Sequence, residues 1–133
     1  MVVLKTDDEI EILRVTNLLV SKTLGELAKD VKPGVTTNQL NKVADEYIRD
    51  NGGIPTFLSF LNHSGKQFPK SIFTSVNNTV VHGIPDDYSL KEGDTLSINC
   101  GILFNGFCGD SCYTFCVGEV APEIRKFLQV AKK

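Results

Sequence analysis

The dipeptide Asn105-Gly106 joins two apolar runs, TLSINCGILF and FCGDSCYTFC, and leaves the chain around it few ways to fold. Asn and Gly accept the positive φ that a two-residue type I′ turn demands, and that turn follows the right-handed twist of the strands it connects. With Asn105 and Gly106 at its centre, Phe104 pairs with Phe107, Gly101 with Asp110 and Asn99 with Cys112. Side chains alternate across a strand, so Asn99, Gly101, Asp110 and Cys112 share one face. The Asn99 to Asp110 diagonal is then roughly 7–8 Å. An amide and a carboxylate stand where packing alone asks for hydrophobes, and two readings are open. With Gly101 leaving space beside Asp110, the pair can form half of a metal site, since divalent ions take oxygen or imidazole ligands held on stiff elements. Alternatively, both side chains bond nearby backbone groups at a sheet edge.

The remaining elements follow from caps and periodicity. Thr6 and Glu9 form a capping box, and Leu24, Leu27, Ala28 and Val31 make the stripe of a buried helix that runs to Lys32-Pro33-Gly34. A second box, Thr36 with Gln39, opens a helix with Leu40, Val43, Ala44, Tyr47 and Ile48 on one face, ending at Gly52-Gly53. Residues 54 to 70 read as a loop, SIFTSV as a strand, and a third helix starts near Ala121-Pro122 with Ile124, Phe127, Leu128 and Ala131 on one face. Two helices, strands and one helix make a single α+β domain over residues 1–133.

Composition narrows the functions. The chain carries 14 Lys and Arg against 16 Asp and Glu, with no block of like charge, so no nucleic-acid footprint is expected. No apolar run approaches a membrane span, and the N-terminus turns acidic before a secretory core could form, so no membrane partner and a cytoplasmic location are expected. Cys100, Cys108, Cys112 and Cys116 crowd together without CxxC pairing, and read as free thiols acting as small buried hydrophobes rather than zinc ligands. His82, in TVVHGIPDD, is either a hydrogen-bonded turn residue or a ligand. His63 is expected in solvent. Phe57, Phe60, Tyr47 and Phe73 can line an apolar pocket or simply fill core.

The run VVHGIPDDYSLKEGDTLSINCGILFNGFCGDSCYTFCVGE, extended back through KTDDEIEILRVTNLLVSKTL and VKPGVTTNQL, resembles the bacterial-type type I methionine aminopeptidases of the M24 metallopeptidase family. The resemblance implies the N-terminal half of a pita-bread (creatinase/aminopeptidase) fold, an antiparallel sheet with helices packed on one face. It implies removal of the N-terminal initiator methionine from nascent chains by a pair of divalent ions (Mn, Fe, Co or Zn). His82 then matches a histidine that contacts substrate, and Asp110 the aspartate that bridges both metals. Four positions depart from the family. Asn99 stands where the first chelating aspartate belongs, Phe73 where a cysteine lines the methionine pocket, Asn78 where glutamate is usual and Cys108 where histidine is. The stretch LNHSGKQFP, around residues 61–68, is longer than the matching loop. The family's other ligands, a histidine and two glutamates, belong to the second half of its fold, and Glu119 and Glu123 match neither glutamate. A truncated domain, with weak or absent metal binding and no activity by itself, is therefore expected, because an amide brings neither the charge nor the second oxygen of a carboxylate. Two alternatives stand beside it. One is a non-catalytic half-domain that binds a peptide end or partner; the other is a homodimer paired through the exposed inter-half face.

Overall fold

The computed structural model describes residues 2–61 and 65–132. Helix α1, Asp7–Ala28, opens on the expected box: Glu9 N–H donates to Thr6 Oγ1 at 3.3 Å and Thr6 N–H to Glu9 Oε2 at 2.8 Å. Three acids in its first turn complement the helix dipole. It ends four residues before Lys32, because the chain turns away to pair elsewhere: Gly34 N–H donates to Leu90 O and Leu90 N–H to Val35 O. Helix α2, Thr37–Asp50, has the second box, with Leu40, Ala44 and Ile48 buried, and stops where Gly52 turns to φ +79°.

Four antiparallel strands form one sheet. The central β3, Thr95–Phe104, pairs along its whole length with β4, Phe107–Cys116. Its other side pairs with β1, Ile54–Pro55, and with β2, Ile72–Val76. Residues 54 to 70 are thus not all loop: β1 and a 3-10 turn, Thr56–Ser59, lie within them. The hairpin register is the expected one, and Asn105 and Gly106 take φ of 49° and 81° as a type I′ turn requires.

Helices α1 and α2 cover one face of the sheet. There Leu96, Ile98, Cys100, Ile102 and Ile72 meet Leu24 and Leu27 of α1 and Leu40, Ala44 and Ile48 of α2 in the main core. Tyr47 packs against this core, on the far side of the sheet from the other aromatics, so it lines no pocket with them. The third helix, α3, Pro122–Ala131, forms as expected but buries none of its residues; Phe127 and Val130 are exposed. No helix among the described residues is long and apolar enough to cross a membrane.

Candidate functional site

The face of the sheet opposite α1 and α2 carries the polar positions. Because Phe73 pairs with Asn99 and Asn99 with Cys112, these three make one row across β2, β3 and β4; Gly101 and Asp110 lie in the next row. Asn99 and Asp110 therefore share a face. The gap expected over Gly101 is filled: a Cβ there would lie 2.4 Å from Thr56 Oγ1 and 3.0 Å from the Phe57 ring. Phe57, Phe68 and Phe73 form a small second core, with Phe73 4.2 Å from Phe57 and 4.4 Å from Phe68 between ring centroids.

His82 reaches this face from the segment that follows β2, and the way it is held explains its unusual backbone. Gly83 O accepts from Thr74 N–H at 2.8 Å, and Gly83 N–H donates to Ser75 Oγ at 3.3 Å, so residue 83 docks on the edge of β2. The bend into that dock puts His82 at φ 57°, in the left-handed region. Its imidazole stacks 4.6 Å from Phe73 and lies 5.8 Å from Phe60. Behind it, buried Asp94 ties the segment together, accepting from Asn77 Nδ2, Tyr88 Oη and Lys91 N–H, each at 2.9 Å.

His82, Phe73, Asn99, Cys112 and Ser97 line one cleft of about 90 Å³. Of the three phenylalanines proposed for a substrate pocket, Phe73 lines it, while Phe57 and Phe60 do not. His63 lies outside the described residues. Ser97 and Cys112 were not singled out for a pocket, although alternation from Asn99 and the hairpin register were enough to find them.

Asn99 Oδ1 is buried and accepts no hydrogen bond. A buried acceptor left without a partner costs free energy, so this position is one where the chain departs from ordinary core packing. Asp110 is exposed, and partial burial of its carboxyl raises its pKa. Among the described residues its side chain makes no hydrogen bond or ion pair. As a metal cradle the set falls short: among the described residues no three His, Cys, Asp or Glu side chains converge. One amide oxygen and one carboxylate do not fit a divalent pair, which needs several donors to compete with water.

The cysteines correct an expectation. No disulfide forms, but only Cys100 is buried; Cys108 and Cys112 are exposed, because they fall on the side of β4 that no helix covers. Burial, and secondarily the charge of Asp110, pushes the Cys100 thiol up to about 12 and raises Cys112 in the same direction. A thiol reagent at neutral pH should therefore label the exposed Cys108 and, more slowly, Cys112 in the folded protein and reach Cys100 only on unfolding, since access and the thiolate form both set the rate. Labelling of Cys100 without loss of the folded circular-dichroism signal would contradict this burial.

Comparison with known proteins places this geometry among relatives. The pattern of metallopeptidase family M24 matches residues 11–133. The methionine aminopeptidase of Clostridium acetobutylicum is 42% identical over all of this chain and 52% of its own length. That of Bacillus subtilis is 38% identical over all of this chain and 52% of its own. The chain spans about half the length of the curated relatives it matches. The crystal structure of the Rickettsia prowazekii methionine aminopeptidase superposes with a TM-score of 0.91 at 37% identity, over 99% of this chain and 51% of that one. A prolidase from Pyrococcus furiosus, at 19% identity and TM-score 0.76 over 95% of this chain and 34% of its own, shares the fold alone. The α+β arrangement expected from the resemblance, half of a pita-bread fold, is what these neighbours share with the chain.

Proposed function

We propose, from the premise that this chain belongs to metallopeptidase family M24, that its single domain is a methionine-aminopeptidase-type half-site that receives the N-terminal methionine of a peptide without hydrolysing it unaided. The observations that support this reading are the cleft lined by His82, Phe73 and Asn99, and the buried Asn99 Oδ1 that has no hydrogen-bond partner. The family implies a divalent metal, and Asp110 with Asn99 is where one would be held, but the donors counted above are too few for a pair. What the chain's own groups do is bind. Asn99 Oδ1 accepts from the α-ammonium, Asp110 supplies negative charge one row away, and His82 donates to the first peptide carbonyl while Phe73 limits the depth of the methionine site. Cytoplasmic location, where nascent chains occur, belongs to the same proposal.

Titration with the tripeptide Met-Ala-Ser should shift the His82 imidazole resonances saturably, and acetylating its amino group should abolish the shift. Equal binding of the acetylated peptide would defeat the ammonium assignment. Neither the natural chain nor Asn99→Asp should release methionine from Met-Ala-Ser with Mn²⁺ or Co²⁺, because one restored carboxylate still leaves the pair short of donors. Methionine release, once contaminating enzyme is excluded, would show the donor count to be wrong. Self-association is the second reading, favoured by the exposure of Phe127 and Val130 on α3. It requires a species of about twice 14.6 kDa in sedimentation, and a monodisperse monomer would end it.

A further inference from the structure

Helix α2 carries a polar stripe beside its apolar one. Asn38, Asn41, Asp45 and Arg49 fall at i, i+3, i+7 and i+11, the spacing that keeps residues on one side of a helix. Three of them meet three successive residues at the entry to β2. Asn38 Oδ1 accepts from Lys70 Nζ at 2.7 Å. Asn41 Oδ1 accepts from the N–H groups of Ser71 at 2.8 Å and Ile72 at 3.3 Å, and Asp45 Oδ1 from Ser71 Oγ at 2.6 Å. Arg49 steadies Asp45 from the next turn, donating to its Oδ2 at 2.9 Å.

Asn41 is the member on which the strand depends most. Backbone N–H groups on one edge of a strand recur every second residue. On the outer edge of β2, Thr74 N–H is taken by Gly83 O and Ile72 N–H by Asn41. Phe73 lies between those two points, and its ring emerges on the face of the sheet opposite α2, where His82 stacks on it. Ser71 and Ile72 are buried, so water has little access to their N–H groups; a side chain without an acceptor at residue 41 would leave both unpaired. The same stripe also reaches the segment that carries His82, since Asn38 Nδ2 donates to Asp87 Oδ1 at 2.9 Å.

We infer that Asn41 is a positioning residue for the His82 cleft, acting through the placement of Phe73. Asn41 does not line that cleft. It fixes where β2 begins, and so fixes the ring on which His82 rests. What the cleft receives rests on the peptide reading above; what Asn41 holds rests on the hydrogen bonds just given.

Three variants of the full chain separate this role from general support of the helix. Asn41→Leu keeps the bulk and removes the acceptor. It should weaken Met-Ala-Ser binding about tenfold, and in the peptide-free protein the His82 ring protons should lose the ring-current displacement that Phe73 gives them. Asn41→Asp returns an oxygen acceptor to the site and should restore both. Lys42→Gly lowers the helix propensity of α2 at an exposed position beside Glu46, and should change neither. Should Asn41→Leu fail to fold, Asp45→Ala removes the neighbouring tie to Ser71 Oγ and should show both changes in smaller measure. Unchanged His82 shifts in Asn41→Leu, or in Asp45→Ala where that stands in, overturn the inference, as does an equal change in Lys42→Gly. If the unaltered chain binds no Met-Ala-Ser, the peptide reading falls, and the His82 shifts, read without peptide, still decide the role of Asn41.

Discussion

Asp94→Ala should cost the protein about 3 kcal/mol and loosen His82, although residue 94 touches nothing in the cleft. The carboxylate is buried and accepts three hydrogen bonds from groups spread over residues 77 to 91. Hydrogen bonds to a charged acceptor contribute about 1.5–3 kcal/mol each but do not add, and removing the acceptor leaves the Asn77 amide and the Tyr88 hydroxyl to find water. The same network fixes the base of the segment that carries His82, so the imidazole should lose its stacking on Phe73. Urea denaturation measures the first effect and the ring-current shift of the His82 protons the second; an unchanged midpoint would mean that water substitutes freely for the carboxylate.

This network also sets a pH dependence. Burial raises the Asp94 pKa, but hydrogen bonds from Asn77, the Lys91 N–H and Tyr88 outweigh it and hold the carboxyl below 3.8. A depressed folded value means that the contribution is complete above 3.8 and is lost as pH falls through the folded value. The stability difference between the protein and Asp94→Asn should be widest at neutral pH and narrow as pH falls below 3.8.

Gly83→Ala should be the most damaging single-methyl change near the cleft. A Cβ at residue 83 would lie 2.0 Å from Thr74 O and 2.7 Å from Thr74 C, both backbone atoms of a strand that cannot yield without breaking its pairing with β3. The segment must lift instead, giving up the Thr74 N–H to Gly83 O bond and carrying His82 off Phe73. Overpacking against rigid neighbours costs about 1–3 kcal/mol, and this contact with backbone should reach the upper end. Loss of the Met-Ala-Ser response with the main core intact is the expected signature; a variant that binds as before would show slack in the dock.

Most of the scaffold could be read from the chain because its signals are local. Both capping boxes join residues three apart, and the Asn105-Gly106 turn fixes ten strand pairs by counting outward. The misses share a different cause. Strand β1 is two residues long and exists only because Leu103 and Ile102 of β3 accept it. Helix α1 stops early because residues 34 and 35 pair with Leu90, a partner far along the chain. Burial of the cysteines depended on which side of β4 the helices chose, and the dock of Gly83 on β2 depends on tertiary contact alone. The site followed the same division: register placed Asn99 and Asp110 on one face, whereas the filling of the space over Gly101 by Thr56 and Phe57 had no local signature.

The position of α1 has a consequence for biosynthesis. Its apolar stripe rests on the sheet through residues of β3 and β4, yet in the chain it precedes β3 by more than sixty residues. A nascent chain leaving the ribosome at about 5–20 residues per second exposes that stripe for several seconds before the hairpin appears. The hairpin itself closes within about 1–10 μs of emerging. Translational pausing upstream of Thr95 should therefore raise chaperone engagement, and pausing downstream of Cys116 should not.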